Sequence, residues 1–597
     1  MSSRVLCSVL RMRIPVRGIA VALLAGALAA CAGRTVKSSS GDDTADTDDG
    51  DATSFFESPE RGVAPALPPQ DLTETVLYEF LLAEIATQRG DVTLAAQAYV
   101  DLAKRTRDPR IARRATEVAM YARMANAAVE AAQIWQETEP QSTRARQALA
   151  GLLVNAGRYD EALPHFEKLL ADGAAKPAET FSQLGRALAN AQDRKSALKL
   201  VRTLAQRYPR VPQAHFAVAQ TAAGAGDDEL ALAEIRQAEQ LRPDWENAVL
   251  LEAQLLQRKS PEAAAARLET FLKSNPGSRE VRLDYARLLV SQKKITEARG
   301  EFQKLLAAYP DNTDVTFAVA LLSLQLNDYD AAEANLKRLL QGSYRDKNGV
   351  RLYLGQIAED RKKLPEALRW YGEITDGEHY LAAQIRSAQV LSKQGKLAAA
   401  RERLHQTEPQ NGQQRVQLIL AEAQLLRDAN QPKAAFDMVQ QALEKLPNQP
   451  DLLYDHAMLA EKLDRMDVLE SSLRKLIALR PDYAHAYNAL GYSLADRNER
   501  LPEARDLIEK ALKLSPDDSF IIDSMGWVLY RQGQTKDALE WLQKAYAARP
   551  DAEIAAHLGE VLWALGRRDA AERVLSDAAQ KDPGNEAIAN TLKRLKR

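Results

Sequence analysis

The sequence predicts an all-α fold, a superhelical solenoid of about fifteen helical hairpins, on three observations. Prolines recur at Pro209, Pro243, Pro276 and Pro310 and again at Pro481, Pro516, Pro550 and Pro583, with gaps of 34, 33 and 34 and then 35, 34 and 33 residues. Small residues keep step with them: Ala219, Ala253, Ala286, Ala320, Gly491, Gly526 and Gly559, followed by Ala298, Ala332, Ala504, Ala538 and Ala571. Composition fits a repeat array, since 597 residues with 46% hydrophobic, 27% charged and 6% aromatic side chains are too many for one core and too ordinary for disorder.

Taken in order, the chain opens with a segment expected to be a lipoprotein signal peptide, residues 1–30. Arg11, Arg13 and Arg17 precede GIAVALLAGALAA, about thirteen apolar residues, too short to span roughly 30 Å of hydrocarbon but suited to a signal-peptide core. Leu28-Ala29-Ala30-Cys31 is similar to the bacterial lipobox, which implies a lipidated Cys31 as the first residue of the mature chain. Ala32, in place of an aspartate, implies by the same resemblance sorting to the outer membrane, the anchored chain facing the periplasm. An ordinary secreted protein cut at a small-residue site is the alternative, and Met12 is a second possible start. Cys7 and Cys31 are the two cysteines, so no internal disulfide is expected.

Residues 31–70 read as an acidic and proline-rich tether, SSSGDDTADTDDGDATS and then SPERGVAPALPPQ, with little to bury. Its r.m.s. reach as a flexible coil is roughly 35 Å.

Residues 71–583 carry the repeats. The small positions fall where the two helices of a hairpin cross, and the proline closes the second helix because it lacks the donor and restricts the residue before it. The copy at 517–550, with Gly526, Gly533, Ala538, Ala545 and Pro550, resembles the tetratricopeptide (TPR) repeat. So does GRYDEALPHFEKLL, through Gly157, Tyr159, Ala162 and Phe166. Between about 345 and 447 the proline spacing blurs, while Gly355, Ala367, Ala388 and Ala434 keep the helix-pair pattern. A hairpin of this size cannot bury its apolar stripe alone, so each leans on the next and the stack presents a long wall. The tail 584–597, GNEAIANTLKRLKR, places Ile588, Leu592 and Leu595 on one face and reads as a capping helix.

Chemistry is sparse. His165, His215, His379, His405, His456, His485 and His557 form no HExxH pattern, and there is no CxxC pair, GxSxG elbow or phosphate loop. No catalytic residue, cofactor or metal is expected, and the chain is not expected to be an enzyme. A net charge of −2 and a pI near 6.5 argue against nucleic acid as a partner.

Binding surface is what repetition builds. By the spacing of the family's inner-wall positions, Asn488 and Tyr492 stand beside Trp527, Tyr530 and Arg531, with Glu560 and Trp563 in the hairpin after. Rings with an arginine suit an interface, and the alternative is that some pack between hairpins as core. The family's carboxylate clamp is not reproduced, because Asp496 and Asp523 occupy places where bases are wanted. A second candidate is a basic patch, Arg107, Arg110 and Arg114, on one face of a helix starting near Asp108. Its alternative is a plain solvated helix.

The lipobox, the acidic tether, the opening hairpin LYEFLLAEIATQRGDVTLAAQAYVDLAKRTRDPRIARRATEVAMYAR and the closing block YNALGYSLADR, DSMGWVLYRQG and HLGEVLWALGRRDAA together resemble the proteobacterial TPR lipoproteins of the LbcA type. That resemblance implies a periplasmic adaptor for the carboxyl-terminal processing protease CtpA, a serine protease with a PDZ domain. It further implies that the adaptor promotes the protease and delivers peptidoglycan hydrolases for degradation. An envelope-assembly or polysaccharide-export scaffold without a protease, and a glycan-binding protein, are the rival readings.

Overall fold

The structure, a computed structural model, describes residue 68 and residues 71–595 apart from 174, 175 and 190. The signal peptide, Cys31 and the tether lie outside the described residues. Among those described there are 31 helices and no strand. The first thirty pair in sequence into fifteen hairpins, from Glu74–Gln88 with Val92–Thr106 to Ala552–Ala564 with Arg568–Lys581, and Glu586–Leu595 follows alone. Two compact units divide the described chain, one ending at Val315 and one starting at Thr316.

Local chemistry sets the helix ends. Asp518 accepts from the backbone N–H of Phe520 at 2.9 Å and of Ile521 at 3.3 Å, capping the helix Ser519–Arg531. Between the helices of a hairpin the chain turns through a left-handed residue, such as Gly533 (φ 83°) or Asn430 (φ 57°). The repeating prolines sit just past the second helix: Thr535–Ala548 ends two residues before Pro550, and Met466–Leu479 two before Pro481.

The small residues are where the helices cross. A Cβ on Gly526 would lie 2.6 Å from Leu542 Cγ and 3.2 Å from the Ala538 carbonyl, and Ala538 is itself fully buried. Only a missing side chain allows that approach. In the unit from Thr316 onward, one continuous core runs through Phe436, Leu473, Leu490, Ile508, Ile521, Val528, Leu542 and Val561. In the other unit, Val129, Phe166, Phe181, Leu200 and Val218 share a core, and Tyr99, Ala115 and Trp135 anchor another nearer the N-terminus.

The blurred stretch has a plain cause. The helices Leu364–Gly372 and Leu397–His405 are cut to nine residues, and the helix Gly412–Asp428 extends to 17, so the period slips while the pairing continues. The register also differs by one residue near Pro432: Ala435 is the fully buried alanine and Ala434 is exposed. At the C-terminus, Ile588 is buried against Ala555 and Ala578 with Leu592 packed beside it, whereas Leu595 is only half-buried.

Candidate functional site

The inner faces of three successive first helices, Ala484–Asp496, Ser519–Arg531 and Ala552–Ala564, meet in the C-terminal unit. Because adjacent repeats are some 34 residues apart, side chains one repeat apart in sequence become neighbours in space. Asp523 and His557 are such a pair: His557 Nδ1 donates to Asp523 Oδ2 at 2.8 Å. The other ring nitrogen of His557 lies 3.4 Å from the Tyr492 hydroxyl. Its ring stacks on Trp527, and Trp527 in turn meets Tyr530 at 5.4 Å and lies under the Arg531 guanidinium at 5.8 Å.

Burial separates the predicted residues into two layers. Asn488, Tyr492 and Trp527 are buried, as are Asp523 and His557. Tyr530, Arg531 and Trp563 are half-buried and form the rim, with Arg568 over the Trp563 ring at 5.1 Å and Glu560 paired with Arg594 of the last helix. For Tyr492 and Trp527 the core alternative is therefore the one seen. The structure adds Asp523 and His557, which the sequence reading passed over as a misplaced acid and a scattered histidine.

Electrostatics hold this cluster in a fixed charge state. Burial works against the His557 cation, but the Asp523 charge and hydrogen bond outweigh it and raise the imidazole above its ordinary pKa. Burial, with nearby carboxylates, drives the Tyr492 hydroxyl well above its usual value. Asn488 Oδ1, Asp523 Oδ1, Trp527 Nε1 and Arg531 Nε are buried without a hydrogen-bond partner among the described residues. Four such atoms in one cluster are unusual, because most buried polar groups find a partner.

One hairpin earlier the polar theme continues. Arg427 pairs with buried Asp455 at 2.6 Å. His456 stacks on Phe436 at 4.5 Å with its Nδ1 3.0 Å from Ser472 Oγ, and burial pulls its pKa down to about 4. Glu461 accepts from the Ser493 hydroxyl at 2.7 Å, and burial pushes its carboxyl up to about 7.

The basic patch is dispersed. Arg110 and Arg114 lie on the helix Pro109–Tyr121, but Arg107 precedes it as the left-handed end (φ 52°) of the helix before, so the three do not share a helix face. Each also has an acidic partner: Arg107 with Glu137 at 2.6 Å, Arg110 with Asp108 at 2.7 Å and Arg114 with Glu117 at 3.9 Å. Nearby, Thr87, Val92, Ala95, Glu117, Val118 and Tyr121 line a cavity of about 370 Å³. One group of possible metal ligands appears among the described residues, with His379 Nε2 3.1 Å from Asp346 Oδ2 and 3.5 Å from Glu378 Oε1. Asp346 already caps a helix through Gly349 N–H at 2.8 Å, and Glu378 is largely exposed.

Family patterns described as tetratricopeptide repeat match residues 145–178, 182–245, 255–322, 318–376, 454–519 and 529–595. A TPR repeat-containing protein of Pseudomonas aeruginosa is 37% identical over 493 residues, covering 82% of each chain. Cellulose synthase operon protein C of Pseudomonas fluorescens is 24% identical over 467 residues, covering 75% of this chain and 32% of its own length. A solved tetratricopeptide repeat protein from Parabacteroides merdae aligns with a TM-score of 0.32 and 16% identity, covering 48% of this chain and 99% of its own.

Proposed function

The chain belongs to the tetratricopeptide-repeat family, whose members are typically non-catalytic scaffolds for protein–protein contact, and from that premise we propose that it is an outer-membrane adaptor facing the periplasm. In this reading Cys31 carries the lipid anchor and the solenoid binds a PDZ-containing carboxyl-terminal processing protease. It promotes that protease and presents cell-wall hydrolases to it. The observation that carries the reading is the layered site of the last repeats. Tyr530, Arg531 and Trp563 stand half-exposed over a buried support of Trp527, His557 and Asp523. Rigid aromatic and arginine side chains on a fixed backing are what dominate protein interfaces. A scaffold in polysaccharide export is the second reading, and the similarity to a cellulose synthase operon protein favours it.

Affinity capture from detergent-solubilised membranes distinguishes them. A PDZ-containing serine protease among the captured proteins, lost with Tyr530→Ala/Trp563→Ala, supports the adaptor, and capture of export machinery without a protease overturns it. Cys31→Ser is expected to move the chain from membranes to the soluble periplasm, and retention after a salt wash refutes the anchor.

A further inference from the structure

The two ends of the described chain are finished differently. The last helix, Glu586–Leu595, buries Ile588 and turns Asn590, Lys593 and Arg594 to solvent. The first helix, Glu74–Gln88, buries Ala83 and Ala86 against its hairpin partner and yet exposes Leu77, Tyr78, Leu81 and Ile85 on the opposite side, between 43 and 65% accessible. Leu72 and Phe80 extend this surface. In an interior repeat such a face is covered by the preceding hairpin, and among the described residues no helix precedes this one. Taking about 150–250 Å² for a whole large side chain, the stripe exposes on the order of 500 Å² of apolar surface, at the upper end of what a monomer leaves bare.

We propose that residues 54–67 of this chain, SFFESPERGVAPAL, fold back over this face, seating Phe55 and Phe56 on the Leu77, Leu81 and Ile85 stripe, and so close the N-terminal edge of the array. Three observations select this occupant. The described helix bundle begins at Asp71, and the sixteen residues from Phe56 to Leu72 span up to about 50 Å when extended, against about 22 Å for the whole helix. Between Ala32 and Gln70 the large apolar side chains are Val36, Phe55, Phe56, Val63 and Leu67, four of the five falling in this segment. A second copy is disfavoured by area, since a stable interface needs about 800 Å² from each partner. An anionic lipid surface is disfavoured by charge, since the helix carries Glu74, Glu79 and Glu84 and no lysine or arginine. A tethered segment needs far less surface because its docking is intramolecular.

The test is hydrogen exchange on the chain from residue 32 onward, at sub-micromolar concentration, for the native sequence, Phe55→Asp/Phe56→Asp and the control Val36→Asp. All three altered positions lie outside the helical array, so the fold itself is not at risk, and unchanged exchange in residues 484–564 verifies that. The expected result is that amides of residues 74–88 exchange about tenfold faster in the double variant alone, with all three chains monomeric by sedimentation. Equal exchange in all three overturns the proposal. Protection that appears only as concentration rises and mass doubles assigns the face to a second copy and overturns it. Protection that appears only with phosphatidylglycerol vesicles assigns it to a membrane and overturns it.

Discussion

The imidazole of His557 lies over the indole of Trp527, with ring centres 4.2 Å apart and planes 24° from parallel. The contact joins consecutive repeats, and Asp523 fixes the histidine's orientation from the far side at 2.8 Å. It makes Trp527 a structural support, with Tyr530, Arg531 and Trp563 as the half-buried rim around it.

Trp527→Ala is therefore expected to destabilise the C-terminal unit by about 3–5 kcal/mol, the cost of removing a buried indole. Tyr530→Ala or Trp563→Ala should cost much less and mainly weaken partner capture. Urea unfolding followed by circular dichroism, run beside the capture assay, separates the two classes. Equal losses of stability for Trp527→Ala and Tyr530→Ala would remove the distinction between support and rim.

Gly526→Leu should destabilise by about 1–3 kcal/mol, because even its Cβ would meet Leu542 at 2.6 Å. Gly533→Leu, in a turn with open space around its Cβ, should act instead through its left-handed backbone (φ 83°). Melting curves that leave Gly526→Leu unchanged would show that the helices cross elsewhere.

Opposite pH dependences are expected from Glu461 and His557. Burial raises Glu461 from about 4.5 to about 7, so its contribution is intact below about pH 4.5 and lost as pH rises toward 7. Glu461→Gln should match the native protein at pH 4.5 and exceed its stability at pH 8, by up to about 3 kcal/mol at roughly 1.4 kcal/mol per pKa unit. His557 is raised by Asp523, so its ion pair stabilises fully below the unfolded histidine value near 6.5 and fades as pH climbs through the higher folded value. Asp523→Asn should accordingly cost more at pH 5.5 than at pH 9, with melting temperature across that range as the readout.

Arg427→Met leaves the Asp455 carboxylate buried and unpaired and should cost about 3–5 kcal/mol. The double variant Arg427→Met/Asp455→Leu should recover most of that loss. A double variant as unstable as the single one, measured by urea unfolding, would show that the charge pair itself holds these hairpins together.

Period and small residues were enough to read the all-helical repeat architecture, because Gly526, Ala538 and Pro550 each answer a backbone constraint that the sequence displays directly. The site was legible only in part. Repeat spacing put Asn488, Tyr492 and Trp527 on adjacent first helices, but their burial depends on how closely those helices approach, and no single repeat encodes that distance. Asp523 and His557 were missed although their 34-residue separation equals one repeat, the signal that places them side by side. The shared face expected for Arg107, Arg110 and Arg114 is broken by a helix boundary: Arg107 is the left-handed end of Val92–Thr106, one helix before the other two, which spacing alone did not show.

The nine-residue helices Leu364–Gly372 and Leu397–His405 give their hairpins less length to share with neighbours than the adjoining helices of 14 and 17 residues. In a linear array cohesion is only as great as the thinnest joint. Heat or a stretching force would thus part the molecule around these residues first, and the segment bearing Trp527 and His557 would stay intact as a separately melting block.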